Sequence, residues 1–158
     1  MKSGAHAMPR KLRVFLDTSA ILAGLNSPNG ATGVILVACF SHDITAVISP
    51  QIIEEAERNI ELKFPKLATA WASFLLIPPE VTATPSLQEI RRAYKILPTS
   101  DAPILASAFK VQPNVFVTWD IRDFLRDMVR RAAPFPILLP GEFIRRFWIK
   151  KHNGRTER

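Results

Sequence analysis

At 158 residues and 17.7 kDa, the chain is sized for one domain around a single core. Its 47% apolar and 22% charged content excludes a largely disordered or fibrous polymer. The net charge of +7 is lopsided, since residues 122–158 hold ten basic and four acidic side chains, which points either to a polyanionic partner or to a solvated basic face.

A lone cysteine, Cys39, sits among apolar neighbours, and three scattered histidines (His6, His42, His152) share no ligand spacing, so a disulfide framework and a soft zinc site are both excluded. The longest apolar run, 34–40, falls far short of the roughly 20 residues that cross a bilayer. A cytoplasmic location is therefore expected. Residues 1–12 carry no periodicity and read as a leader or expression remnant, 13–149 as one domain, and 150–158 as a basic flexible tail.

Along the chain, Val14, Phe15 and Leu16 form an apolar run ending on Asp17, Thr18 and Ser19, the pattern of a buried strand entering a helix N-cap. A turn cluster at 26–30 precedes a buried helix over 32–40. A second β-rich run at 45–49 leads through Ser49 and Pro50 into an amphipathic helix reaching Leu62. Residues 67–77 predict another helix, stopped by Pro78 and Pro79, and 80–84 a more exposed strand. Helical spacing returns over 86–97 and again over 102–110, where Pro103 is tolerated in the first turn because its missing N–H would be unpaired there. A strand at 115–118, an Arg-rich helix from about 121 to 131 and a short strand at 136–140 complete the order. Strands alternating with helices predict an α/β fold, with a short parallel sheet of four to five strands covered by helices on both faces.

In such a sheet, ligands bind at the carboxyl ends of the strands. Asp17 ends the first strand, Asp120 follows the fourth, Asp101 opens the helix before it, and Glu54 and Glu55 lie in the helix after the second. Carboxylates gathered there repel by about 4 kcal/mol per pair at 4 Å and an effective dielectric near 20, a cost that a divalent cation removes. Oxygen-only ligands select magnesium or manganese, and such an ion activates a bound water for in-line phosphodiester hydrolysis. Each acid also has a plainer role open to it. Asp17 and Asp101 could cap helices, Asp123 or Asp127 could pair with Arg126, Arg130 or Arg131, and spacing does not choose between Glu54 and Glu55.

Four stretches carry a family likeness: 14–22 (VFLDTSAIL), 48–56 (ISPQIIEEA), 101–108 (DAPILASA) and 117–124 (VTWDIRDF). In order and approximate spacing the chain resembles PIN-domain ribonucleases of the VapC-like toxin branch, over about 13–139. The resemblance implies a PIN-like three-layer sandwich and a Mg2+- or Mn2+-dependent endoribonuclease that hydrolyses single-stranded or structured RNA through a metal-bound water. It implies Asp17, Glu55, Asp101 and Asp120 as the catalytic acids and Asp17, Asp101, Asp120 and the accessory Asp123 as metal ligands. Thr18 and Thr118 would be supporting hydroxyls, and the partners a small antitoxin and a second copy of the chain. Two departures stand out: Pro103 two residues after Asp101, and Trp119 where a small residue is common, either of which would reshape the cleft.

No Walker loop or G-x-G-x-x-G motif is present, and no histidine is placed for a nucleophilic triad, which leaves hydrolysis assisted by a metal. Arg122, Arg126, Arg130, Arg145, Arg146, Lys150 and Lys151 are the candidate RNA contacts. Phe143, Ile144, Phe147 and Trp148 have the spacing of a final helix docked on the core, although aromatics among basic residues also suit unpaired bases. A non-catalytic RNA-binding module of the same fold and a DNA-directed nuclease are the alternatives.

Overall fold

Five short strands run parallel in the computed structural model, which describes residues 11–148. They are β1 (Leu12–Leu16), β2 (Ile44–Ile48), β3 (Glu80–Val81), β4 (Val115–Val117) and β5 (Ile137–Leu138), in the order β3-β2-β1-β4-β5. Helices α1 (Thr18–Asn26), α2 (Ala31–Phe40), α3 (Pro50–Lys63), α4 (Ala68–Leu76), α5 (Leu87–Ile96), α6 (Ala102–Val111), α7 (Asp127–Ala132) and α8 (Pro140–Phe143) cover the sheet. The expected α/β sandwich is the observed one. A parallel sheet covered on both faces needs strands that are apolar throughout rather than alternating, and Val14, Phe15, Leu16, Val115, Phe116 and Val117 are all fully buried.

The register decides where the site forms. Leu16 pairs with Val117, so β1 and β4 finish side by side. The next residues, Asp17 and Thr118, emerge together, and the Asp17 N–H donates to the Val117 carbonyl at 3.5 Å. The chain leaves β1 for β2 on one side while β4 lies on the other, which makes this point the topological switch where open α/β sheets leave a crevice. Beneath it, Phe116 packs at 4.9 Å between ring centroids on both Phe15 and Phe124, which gives the crevice a rigid apolar floor.

Local signals explain most boundaries. Ser49 Oγ accepts the Ile52 N–H ahead of Pro50. Ser86 and Glu89 cap α5 reciprocally, at 3.1 and 2.8 Å. The third strand is shorter than the expected 80–84. After the Thr82 N–H bonds the Ile48 carbonyl the ladder ends, and the edge is held instead by Arg13, whose guanidinium makes two 2.9 Å bonds to Glu80.

The Arg-rich helix expected from 121 to 131 is corrected. Residues 121–126 are turns, and α7 begins only at Asp127. Asp120 Oδ1 captures the Asp123 N–H at 3.0 Å while Phe124 drives into the core, 1% exposed. That bond has the geometry of a helix N-cap, yet the turn it opens is not continued, and Arg126 in extended backbone serves as the N-cap of α7 instead. At the other end α8 runs into a π-turn (Ile144–Trp148), and Phe143 stacks on Phe147 at 5.4 Å, the docked arrangement. Lys150, Lys151, the tail from 149 and residues 1–10 of the leader lie outside the described residues. No single helix among the described residues is long and apolar enough to cross a membrane.

Candidate functional site

Asp17 sits at the end of β1 as the N-cap of α1, and it also lines the cleft. One oxygen, Oδ1, accepts the Ala20 N–H at 3.0 Å and the Ser19 hydroxyl at 2.7 Å, while Oδ2 accepts the Thr118 hydroxyl at 2.7 Å. The residue is 4% exposed. Burial pushes its pKa up to about 6, with the Asp120 charge adding to the rise and the three hydrogen bonds opposing it.

Asp101 takes the other course. It precedes α6 in helical backbone and makes no side-chain cap bond, so the capping alternative is not realised. Thr99 Oγ1 holds its N–H at 3.1 Å and its half-buried carboxyl faces the crevice. Burial, a hydrogen bond to the Asp123 carboxyl that favours the protonated form, and the charges of Glu55, Asp120 and Asp123 push its pKa to about 7.

The turn that replaced the expected helix brings Asp120 and Asp123 to Asp101. One carboxylate oxygen from each lies within 4.8 Å of the other two. At an effective dielectric near 20, each charged pair at that separation repels by roughly 3 kcal/mol. Hard oxygens without nitrogen or sulfur fit Mg2+ or Mn2+, and an ion of charge +2 answers the repulsion that lifts Asp101. Asp17 is outside this trio. It lines the same cleft with its oxygens engaged by Thr118, Ser19 and Ala20.

Glu55 completes the ring of acids from α3. Its Oε2 accepts the Thr18 hydroxyl at 3.0 Å and its Oε1 accepts from Gln51 Nε2 at 3.1 Å. Glu54 and Glu55, as successive helical residues, point about 100° apart. Glu55 lines the acidic cleft, whereas exposed Glu54 lines only the adjoining 430 Å³ hollow beside Arg58 and Pro85. The cleft itself holds 290 Å³, with Leu22, Ile104 and Phe124 as its apolar walls.

Neither departure crowds it. Pro103 faces the adjoining hollow, and Trp119 turns toward the α1–α2 side, where its indole N–H donates to Thr32 Oγ1 at 3.0 Å. Sequence reading missed Ser19, Gln51 and Asn59. Their available signal was helical position: Ser19 lies two residues past the cap, and Gln51 and Asn59 lie four residues either side of Glu55.

Thr118 is fully buried and joins the two halves. It donates to Asp17 and accepts the Asp120 N–H at 2.8 Å. Thr118→Val keeps the shape and strands both partners, so it is expected to cost about 1–3 kcal/mol in urea unfolding and to raise the Asp17 pKa further. Thr118→Ser is expected to restore both. A Val variant as stable as the parent would remove Thr118 from this role.

The basic residues are less concentrated. Arg122, Arg126, Arg145 and Arg146 are exposed, with Arg126 Nη2 at 3.6 Å from Asp123 and Arg146 over the Phe147 ring at 5.6 Å. Arg130 is held by the Ile137 carbonyl at 2.9 Å and lies 3.6 Å from Glu142, which ties α7 to β5 and α8.

Residues 13–122 match a family model described as PIN domain. Among solved structures, the fold is similar to that of PAE2754 from Pyrobaculum aerophilum, at TM-score 0.59 and 17% identity over 85% of this chain and 88% of that one. It is also similar to VapBC2 from Rickettsia felis, solved bound to a DNA fragment from their promoter, at TM-score 0.55 and 14% identity over 81% of this chain and 98% of that one. No curated protein matches the chain.

Proposed function

The chain belongs to the PIN-domain family, whose members are generally metal-dependent nucleases, and from that premise we propose that it is a Mg2+- or Mn2+-dependent endoribonuclease acting as the toxin of a toxin–antitoxin pair. The observation that carries the reading is the trio Asp101, Asp120 and Asp123, with oxygens within 4.8 Å of one another, two of whose members, Asp101 and Asp120, line the same cleft as Asp17 and Glu55. The VapBC2 likeness supports a small antitoxin as partner. The family resemblance adds a second copy of the chain.

In this reading Asp101, Asp120 and Asp123 hold the cation. Asp17, braced by Thr118 and Ser19, adds the fourth charge that draws it in. A divalent ion supplies an activated water and offsets the charge that develops on the phosphate. Glu55, bonded to Thr18 and Gln51, would take the proton from the attacking nucleophile. Exposed Arg122, Arg126, Arg145 and Arg146 neutralise phosphates along the strand. A divalent ion held by Asp101 would compete with the proton that burial and its neighbours favour there.

The test is cleavage of end-labelled single-stranded RNA by the full chain in Mg2+ or Mn2+, against the same reaction in chelator, with DNA of equal sequence alongside. RNA cut only in metal is the expected result. RNA that binds with a steep salt dependence yet stays intact under both metals makes the protein a binding module. Preferential cutting of DNA makes it a DNA nuclease.

A further inference from the structure

Trp119 sits between the buried Thr118 and the carboxylate of Asp120, yet its side chain is 45% exposed. It is held at two points. The backbone N–H donates to Ser19 Oγ at 3.1 Å, and that same hydroxyl donates to Asp17 Oδ1 at 2.7 Å. The indole N–H donates to Thr32 Oγ1 at 3.0 Å, and Thr32 is 3% exposed. The ring's one polar atom is thus satisfied inside the protein, and what the ring offers outward is π-surface.

Beside the ring lies a hollow of 220 Å³, lined by the small residues Ala23, Ser27 and Gly30 and by Asn26. It adjoins the acidic cleft along α1, where Leu22 lines the cleft and Ala23 and Asn26 line the hollow. We propose that Trp119 is a stacking platform for one nucleobase of a single-stranded RNA whose neighbouring phosphate lies in the acidic cleft, with Asn26 bonding the base edge. The inference rests on the nuclease reading above and adds to it a subsite that recognises an unstacked base.

The physical case has three parts. Unpaired bases bind proteins largely by stacking on aromatic faces and by hydrogen bonds at their edges, and an indole beside a primary amide offers both. A ring held by its indole hydrogen bond, on a backbone itself bonded to Ser19, loses little freedom on binding, so most of the stacking free energy appears as affinity. The Trp119 backbone is tied to the acidic cleft through Ser19 and Asp17, and exposed Arg122 lies three residues on for the adjoining phosphate.

Fluorescence anisotropy in chelator, where nothing is cut, measures the affinity of the full chain for a labelled RNA ten-mer and for the same backbone with abasic sites. Trp119→Leu is expected to weaken RNA binding about 5- to 100-fold, Trp119→Phe to recover most of it, and the abasic strand to bind parent and Trp119→Leu alike. Equal RNA affinity for parent and Trp119→Leu overturns the inference, as it would if the indole faced a protein partner. So does an equal loss on the abasic strand, which would make Trp119 a purely structural residue. Cleavage in Mg2+ separates the two readings. A parent that cuts RNA while Trp119→Leu binds normally sinks the subsite alone, and a parent that never cuts yet shows the base-dependent loss sinks the nuclease alone.

Discussion

Asp120→Asn is expected to slow Mg2+-dependent RNA cleavage by on the order of 10²- to 10³-fold, the loss of a few kcal/mol of transition-state stabilisation. The substitution is chosen because asparagine retains an oxygen to accept the Asp123 N–H, a bond of 3.0 Å in the parent. The turn that carries Asp120 and Asp123 therefore survives, and what disappears is one negative charge from the trio. The same change removes a charge that raises the pKa of both Asp17 and Asp101, so the metal-free variant is expected to melt at a higher temperature than the parent at pH 8. Asp127→Asn is the control, because Asp127 lies in the first turn of α7 and does not line the cleft. Undiminished cleavage by Asp120→Asn would remove the trio from the reaction, whatever the Asp127 variant does.

The second large effect links acidity, metal and stability. Burial first, then neighbouring charge, raises Asp17 to about 6, and burial, the Asp123 hydrogen bond and three neighbouring charges raise Asp101 to about 7, against ordinary aspartate values near 4 in the unfolded chain. Between about pH 4 and pH 7 the folded protein therefore holds more protons than the unfolded one. Its stability falls as pH rises through that window, with the whole penalty present above it. For Asp17 alone the penalty is about 2–3 kcal/mol. Divalent cations compete with those protons. In chelator the melting temperature should drop from pH 5 to pH 8, and saturating Mg2+ should restore about 5–10 °C at pH 8 while changing little at pH 5. Equal Mg2+ shifts at both pH values would mean that the ion binds somewhere other than these acids.

The two results test different parts of one design. A crevice of acids that repel each other is unfavourable to folding, and it persists because the Phe15, Phe116 and Phe124 core and the fully buried strands hold their backbones in place. Strain of this kind is stored where a ligand relieves it. That accounts for both expected outcomes: the substitution that slows the reaction steadies the empty protein, and the ion that enables the reaction steadies the parent.

By itself the sequence determined the order of elements, the parallel sheet and the set of acids at strand ends and helix starts. These depend on local signals: apolar runs too short for buried helices, Ser49 beside Pro50, Ser86 with Glu89, and prolines at 78 and 79. Which acids meet was decided only in three dimensions. Glu55 rather than Glu54 faces the cleft because one residue of helical rotation separates them, and the phase of α3 against the sheet is a packing property. Residues 121–126 have a helical composition but became turns, because the burial of Phe124 and the extended backbone at Arg126 outweighed a weak intrinsic preference. From sequence, Trp119 read as a departure that would reshape the cleft. Its orientation depended on Thr32, 87 residues away in the chain, a partner that no local pattern could have named.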